Sequence, residues 1–423
     1  MTAVRPEAPP AATEAGTDRA VGRRLAWFSA VRDALGRPLA SYYLLLGASA
    51  LLLTIGLIMV LSSSSVYSYR TFDDSYAIVR KQLLWVAIGL PAAWVASRLP
   101  HRWIRRLVWP GYFVTIGLLL LTAISGHAVN GNQNWLILGP LAIQPSELAK
   151  LALVLWAAHI YALKDRRLGS MHEVFFPVVA GLLLATALVV AGHDLGTGLV
   201  LFAILMAMLW VIGVPGRFFF LSMLMVGVLV TFLAATSPER LARITNFTDP
   251  FRDYYGHGWQ PAHGLYALSS GGILGEGIGA SRQKWADFAG AHTDFIFAVL
   301  GEELGLVGTL LVVVLFLAIA FAALRVAAHT SDAFTRYASF GIVVWLLGQM
   351  MINVGMVLTL LPVIGIPLPL VSYGGSSLVP TMMALGLLVG FARREPEAAR
   401  ALAARRQQRA VGLSAGKLDS EGL

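Results

Sequence analysis

YYLLLGASALLLTIGLIMVL occupies residues 42–61. It contains no charged residue, and about 20 such residues coiled into a helix cross the hydrocarbon of a bilayer. Similar blocks recur along the chain. Of 423 residues, 57% are hydrophobic and only 13% are charged, against about 25% charged in a soluble domain. Concentrated in long runs, this apolar excess implies an all-α polytopic membrane protein rather than a large soluble core. Hydropathy predicts ten transmembrane helices, at 42–62, 81–98, 107–125, 146–163, 174–191, 195–213, 217–236, 295–324, 337–361 and 374–392.

Charge tests that count. Arg98, Arg102, Arg105, Arg106, Lys164, Arg166, Arg167, Arg217, Arg325, Arg336, Arg393 and Arg394 fall on alternate connections, while 126–145, 191–194 and 362–373 contain no Lys or Arg. Cationic loops stay in the cytoplasm, so both termini are expected there. The expected domains are a disordered cytoplasmic N-terminal tail over 1–40, a membrane domain over 41–393 and an Arg-rich cytoplasmic C-terminal tail over 394–423. A large outer loop, 237–294, separates the seventh and eighth helices. The span 295–324 is longer than a bilayer needs and is expected to tilt or project.

The chain has no cysteine, which excludes disulfides, thiol catalysis and Cys-ligated metals. Its net charge of +9 is read as topology and contact with anionic lipid. No recognition motif accompanies it, so nucleic acid is not an expected partner.

The polar residues that interrupt the apolar runs gather at the predicted outer face. In AGAHTDFIFAVLGEELG (289–305) Asp294 stands just before a span. A carboxylate there either caps the helix, as Thr293 also can, or serves as a general base if partial burial raises its pKa. Glu302 and Glu303 lie inside the run and point about 100° apart on a helix. Acids in a span face the bundle interior and have partners, with proton relay or metal coordination as the alternatives to structural pairing.

In QPSELAK (144–150), Pro145 and Ser146 suit a helix start, and Glu147 and Lys150 are spaced to pair. GHDLGTG (192–198) reads as a tight turn with a cap, or as a His193–Asp194 proton-handling pair. VNGNQNWLILGP (129–140) brings Asn134 and Trp135 to the interface. LPVIGIPLPLVSYGGSS (361–377) is broken by Pro and Gly and reads as a pocket wall. Within the outer loop, GLYALSSGGILG suits an interfacial amphipathic helix with Trp259, Tyr266 and Trp285 as anchors. The loop's cations either hold an anionic group such as a pyrophosphate or pair with Asp249, Asp253 and lipid headgroups.

NWLILGPLAIQPSELAKLALVLW, HDLGTG, LYALSSGGILGEGIGASRQKW, AHTDFIFAVLGEELGLVG and LPLVSYGGSS, in this order, strongly resemble the SEDS family (shape, elongation, division and sporulation) over roughly residues 42–393. The likeness is greater to the family's division branch than to its elongation branch. The resemblance implies a peptidoglycan glycosyltransferase of the bacterial plasma membrane, working at the division septum with its active site facing outside. Its substrate would be lipid II. Its partners would be a class B penicillin-binding protein that supplies the transpeptidase, and other divisome proteins. By the same resemblance Asp294 is the essential acid, and Arg243, Ser281, Gln283, Lys284, His292, Asn134, Trp135, Ser372 and Tyr373 are candidate substrate contacts. Glu147, Lys150, Asp194, Glu302 and Glu303 would support the site. A divalent cation, Mg2+ or Mn2+, is a candidate assistant without assigned ligands.

The chain departs from the family pattern at Asn134, where Arg is frequent, at His193, where Pro is frequent, and in FAGAHTDF, which lacks the usual Glu. Two other functions are carried forward. One is a lipid II flippase, which needs a polar path through the membrane. The other is a non-catalytic divisome scaffold, for which Asp294 would be dispensable.

Overall fold

The computed structural model describes residues 36–129, 132–139, 141–167, 170–235, 241–242, 245, 247–285 and 288–404. The expected N-terminal tail therefore lies almost wholly outside the described residues. Twelve helices, α1 to α12, are followed here. They are α1 (Ala40–Phe72), α2 (Ala77–Arg98), α3 (His101–Ser125), α4 (Pro145–Lys164), α5 (Met171–Phe175) and α6 (Val178–Ala191), then α7 (Leu195–Val211), α8 (Gly216–Ala235), α9 (Trp259–Gly271), α10 (Ile296–His329), α11 (Ala333–Val357) and α12 (Gly375–Ala392). Eight helical stretches are long and apolar enough to cross a membrane, with α5 and α6 counted as one, and α7 and α8 are shorter apolar helices.

The chain is thus an all-α membrane protein built around a central group. The apolar windows of α4 and α12 are 67% and 72% buried, whereas those of α2 and α3 are 28% buried and turn their remaining surface outward. Phe113, Val114 and Ile124 of α3 are among those outward side chains. This is the sorting expected where lipid, not water, is the solvent. Apolar faces remain outside, and costly polar groups such as Glu147, Lys150, Gln349 and Asn353 are withdrawn between helices.

Local chemistry sets the helix ends. Asp73 closes α1 in the left-handed conformation at φ 55°. Pro145 opens α4, where a missing N–H costs nothing. Asp194 and Asp332 cap α7 and α11, each accepting from the N–H of the residue three further on.

One feature was not read from the sequence. Strands β1 (His127–Val129), β2 (Asn132–Leu138) and β3 (Leu141–Ile143) form an antiparallel sheet in the order β1-β2-β3. It is tied to the bundle by Gln133 N–H donating to the Gly192 carbonyl at 2.9 Å.

The long helix α10 is not simply tilted, as its length suggested, but broken. Gly305 sits at φ 67°, ψ −165°. The break frees backbone groups, and the loop after α9 satisfies them. Glu276 and Gly277 donate to the carbonyls of Glu302 and Glu303 at 2.9 and 3.0 Å, while Leu306 and Val307 donate to Gly272 and Ile273 at 3.0 and 3.2 Å. The glycines of GGILGEG permit this approach. A Cβ on Gly275 would stand 2.2 Å from the Glu303 carbonyl oxygen, and one on Gly305 would stand 2.4 Å from Gly275 N. The helix expected at the interface, α9, instead packs on α10, with Ala262, His263 and Ala267 buried, although Tyr266 and Trp285 remain exposed.

At the opposite end, Asp332 gathers α3 and α11. It accepts from Arg105 at 2.5 Å and from Thr335 N–H and hydroxyl at 3.0 and 2.7 Å, with His101 at 3.4 Å. Packing continues past the expected domain boundary at 393: residues 396–404 are helical, and Glu395 and Ala398 are buried.

Candidate active site

A cavity of about 930 Å³ opens at the sheet-bearing end of the bundle. Its wall is built from α2 through Lys81 and Trp85, the sheet through Asn134 and Trp135, α4 through Glu147 and Lys150, α7 through Asp194, α9 through Gln260, the turn before α10 through Thr293 and Asp294, α11 through Gln349, the segment leading into α12 through Gly365 and Tyr373, and α12 through Ser376.

Asp294 is held by its backbone. Asn353 of α11 donates one amide to both the Asp294 and Ile366 carbonyls, each at 2.7 Å. Ser372 donates to the Thr293 carbonyl at 2.6 Å, and Tyr373 N–H donates to the His292 carbonyl at 2.9 Å. The Thr293 hydroxyl donates to Asp294 Oδ1 at 2.8 Å. The carboxylate is therefore aimed by two loops braced against one helix, the precondition for a base that must meet a proton in a fixed place. The His292 ring lies between Tyr67 and Tyr373, at 5.2 and 5.7 Å. Burial there pushes its pKa down to about 4.

The cavity's other acids are engaged. Lys150 Nζ lies 2.7 Å from Glu147 Oε1, with both side chains almost fully buried, so QPSELAK folds as a helix start with an internal ion pair. Asp194 accepts from Asn134, Gln144, Thr197 N–H and the Thr197 hydroxyl at 2.9–3.2 Å. Of the two readings of GHDLGTG, the structure adopts the turn with a cap. His193 is exposed at φ 65° and Asp194 ties the sheet to α7.

The candidate contacts divide into two groups. Asn134, Trp135, Tyr373, Glu147, Lys150 and Asp194 line the cavity with Asp294. Ser281, Gln283 and Lys284 do not. Lys284 is buried, 3.3 Å from Glu303 Oε1, and also donates to the Gly279 carbonyl at 2.6 Å and to Ser62 at 3.2 Å. Its ammonium is spent inside the protein, which corrects its expected place beside substrate. Ser281 donates to Glu302 at 2.5 Å, and Ser62 donates to Glu303 at 2.5 Å. The adjacent glutamates share Ser281, whose N–H donates to Glu303 at 3.4 Å, but only Glu303 pairs with Lys284 and Ser62. Ser372 and His292 act as braces rather than as cavity lining, and Arg243 lies outside the described residues.

Lys81, Trp85, Gln349, Asn353 and Ser376 were missed. Gln349 and Asn353 had a readable signal, two amides four residues apart in an apolar span and so on one face. Lys81 stands in RKQ at the start of a span, and Ser376 lies in the SYGGSS stretch read as a pocket wall, where nothing local set it apart from its neighbours.

Among the described residues, no group of three or more His, Asp or Glu is arranged to hold a metal ion. Asp194 is saturated, and Glu147 gives Oε1 to Lys150 while its buried Oε2 has no partner among the described residues, so the described lining shows at most a single open carboxylate oxygen there and no cage for a resident divalent cation.

A family model described as cell cycle protein, covering FtsW, RodA and SpoVE, matches residues 42–397. The chain belongs to this family. A Mycobacterium tuberculosis member named "Probable peptidoglycan glycosyltransferase FtsW" is 39% identical over 403 residues, covering 95% of this chain and 76% of that one. Stage V sporulation protein E of Bacillus subtilis is 37% identical over 355 residues, covering 83% and 96%. The fold is similar to that of a chain in a peptidoglycan synthase complex that coordinates polymerization and crosslinking, with TM-score 0.68, 28% identity and coverage of 83% and 97%. It is also similar to the rod shape determining protein RodA of Thermus thermophilus, with TM-score 0.61, 27% identity and coverage of 84% and 97%. Members of the FtsW/RodA/SpoVE family are thus similar to this chain across nearly all of its membrane domain.

Proposed function

We propose that this FtsW/RodA/SpoVE family member is a peptidoglycan glycosyltransferase that polymerises lipid II at the outer face of the plasma membrane, at the division septum. The observation that carries the reading is Asp294, a carboxylate braced at the wall of a large cavity of mixed polar and apolar lining where the membrane helices end. The match to a family of cell cycle proteins and the likeness to FtsW support the division role.

In the proposed reaction a sugar hydroxyl of one lipid-linked unit attacks the anomeric carbon of another. Asp294 takes or orients the hydroxyl proton. The new glycosidic C–O bond forms as the bond from the anomeric carbon to the diphosphate oxygen breaks, with inversion, and undecaprenyl diphosphate leaves with the electron pair. A well-placed base is worth about 10²–10⁴-fold. A divalent cation, if used, would enter bound to the diphosphate, since the described lining offers no cage for it. Similarity to a chain from a complex that couples polymerization with crosslinking supports a crosslinking partner, for which a class B penicillin-binding protein is the candidate.

A flippase needs a polar path across the membrane. The charged pair buried in the cavity wall, Glu147 with Lys150, is held together at 2.7 Å, which favours chemistry at the cavity over passage through it. The test is polymerisation of lipid II by purified protein with its penicillin-binding partner. Wild type is expected to make glycan strands, and Asp294→Ala, folded as judged by thermal unfolding, is expected to make none. Equal polymerisation by both would remove Asp294 from the chemistry. Inactivity of both with the partner bound would return the flippase and scaffold readings.

A further inference from the structure

With Lys284 turned inward, the cavity still faces the problem of an anionic leaving group, and another part of its wall offers donors. Helix α12 begins at Gly375 without a side-chain cap on its first turn. Ser377 and Leu378 N–H reach back to the Gly374 carbonyl at 3.2 and 2.9 Å, whereas Gly375 and Ser376 N–H have no acceptor among the described residues. A helix N-terminus in this condition carries a partial positive charge and free donors.

An independent observation coincides with it. Ser376 is only 9% exposed, lines the cavity, and its hydroxyl has no hydrogen-bond partner among the described residues. The hydroxyl is open to the cavity, where a ligand can meet it as donor or acceptor. Lining the same cavity from α2 are Lys81 and Trp85, four residues apart and so on one face. Trp85 Nε1 would stand 1.8 Å from a Cβ on Gly375, so only glycine lets the indole reach the helix start. That N–H makes no hydrogen bond to a described residue. Lys81 is exposed to the cavity, with the Phe72 ring 5.0 Å away and no carboxylate partner among the described residues. Gln82 fixes the two elements together, accepting from Gly374 N–H and donating to the Ser372 carbonyl, both at 3.4 Å.

We propose that the uncapped start of α12 with Ser376, together with Lys81 and Trp85 of α2, forms the diphosphate subsite of the cavity. The inference rests on the glycosyltransferase reading for its place in the reaction, but the anion site stands on its own geometry. Tyr373 N–H holds the residue two before Asp294, so the subsite joins directly onto the base's own brace. As the bond to the anomeric carbon breaks, the diphosphate takes its electron pair and gains one negative charge. Donors fixed in advance at that point stabilise the transition state more than the ground state.

The test uses the full chain in nanodiscs with two probes, inorganic pyrophosphate and undecaprenyl diphosphate, and reads binding by calorimetry. Wild type should bind at least the lipid-linked probe. Binding of inorganic pyrophosphate as well would show that the headgroup suffices, whereas binding of the lipid-linked form alone would show that the tail is also held. Lys81→Gln and Ser376→Ala should each weaken binding by about tenfold, the worth of one charge-assisted hydrogen bond. Lys81→Arg should retain it. If Lys81→Gln melts early, Ser376→Ala decides. The subsite is overturned if neither probe binds wild type, or if Ser376→Ala and a stably folded Lys81→Gln both bind as wild type. Should wild type fail to polymerise lipid II while binding still depends on Lys81 and Ser376, the subsite stands and the polymerase reading falls. Polymerisation with binding indifferent to both residues gives the reverse.

Discussion

Lys284 Nζ lies 3.3 Å from Glu303 Oε1, and the two side chains are 4% and 0% exposed. This pair joins the outer loop to α10, and Ser62 of α1 completes it. Removing one partner leaves the other charge buried and unpaired, which costs about 3–5 kcal/mol. Lys284→Met is therefore expected to lower the unfolding temperature sharply, and Lys284→Met with Glu303→Leu to recover part of the loss. A single Lys284→Met variant that melts with wild type would show the pair to be incidental.

Gly305 makes a similar demand through the backbone. At φ 67°, with the loop after α9 against it, an alanine must strain the chain and displace the hydrogen bonds that mend the helix. Gly305→Ala is expected to destabilise by about 2 kcal/mol or more. Gly227→Ala on α8, where a Cβ meets nothing within 4 Å, is the control, expected to be neutral or slightly stabilising. Thermal unfolding in one detergent compares them, and equal melting of the two variants would contradict the account.

Asn353 does not itself line the cavity, yet it holds two residues of its wall, Asp294 and Ile366, together through two 2.7 Å hydrogen bonds. Displacement of a catalytic group by about 1 Å can cost about 10²-fold in rate. Asn353→Ala is expected to reduce kcat at least about tenfold while leaving KM for lipid II within about twofold. Steady-state polymerisation with the partner present measures both, and a change confined to KM would place Asn353 with substrate instead.

His292 carries a pH signature. Its folded pKa is near 4, below the unfolded value of about 6.5, so between these values the unfolded chain binds more protons. Stability then rises with pH through that window: this contribution is fully present above about 6.5 and is lost as pH falls towards 4. His292→Phe keeps an aromatic ring between Tyr67 and Tyr373 and removes the titration. The slope of unfolding temperature against pH between 4 and 6.5 should be shallower in the variant, and an unchanged slope would assign the acid sensitivity elsewhere.

Much of this protein was readable along the chain because bilayer chemistry is local. The blocks beginning at 42 and 81 had to be helices, since hydrocarbon leaves backbone groups no other partner. A carboxylate at 294, beside such a block, invited a reason. Sheet β1-β2-β3 escaped notice because its strands are three to seven residues long and are held partly by the carbonyl of Gly192. The roles of the cations escaped for a related reason. Lys284 and Lys81 are equally charged in a list of residues, and only what surrounds each ammonium distinguishes them.

The sequence by itself determined a membrane-spanning helical chain, its charge asymmetry and the acids that interrupt it, because hydrophobicity and charge act at each position wherever the chain goes. Tertiary structure alone decided that Asp294 faces a cavity, that Glu303 neutralises Lys284, that the loop after α9 repairs the break at Gly305, and that Lys81 lines the same cavity as the start of α12. Those are relations between segments tens to hundreds of residues apart. Desolvation, ion pairing and hydrogen-bond completion take their sign from the neighbour, and the neighbour exists only after folding.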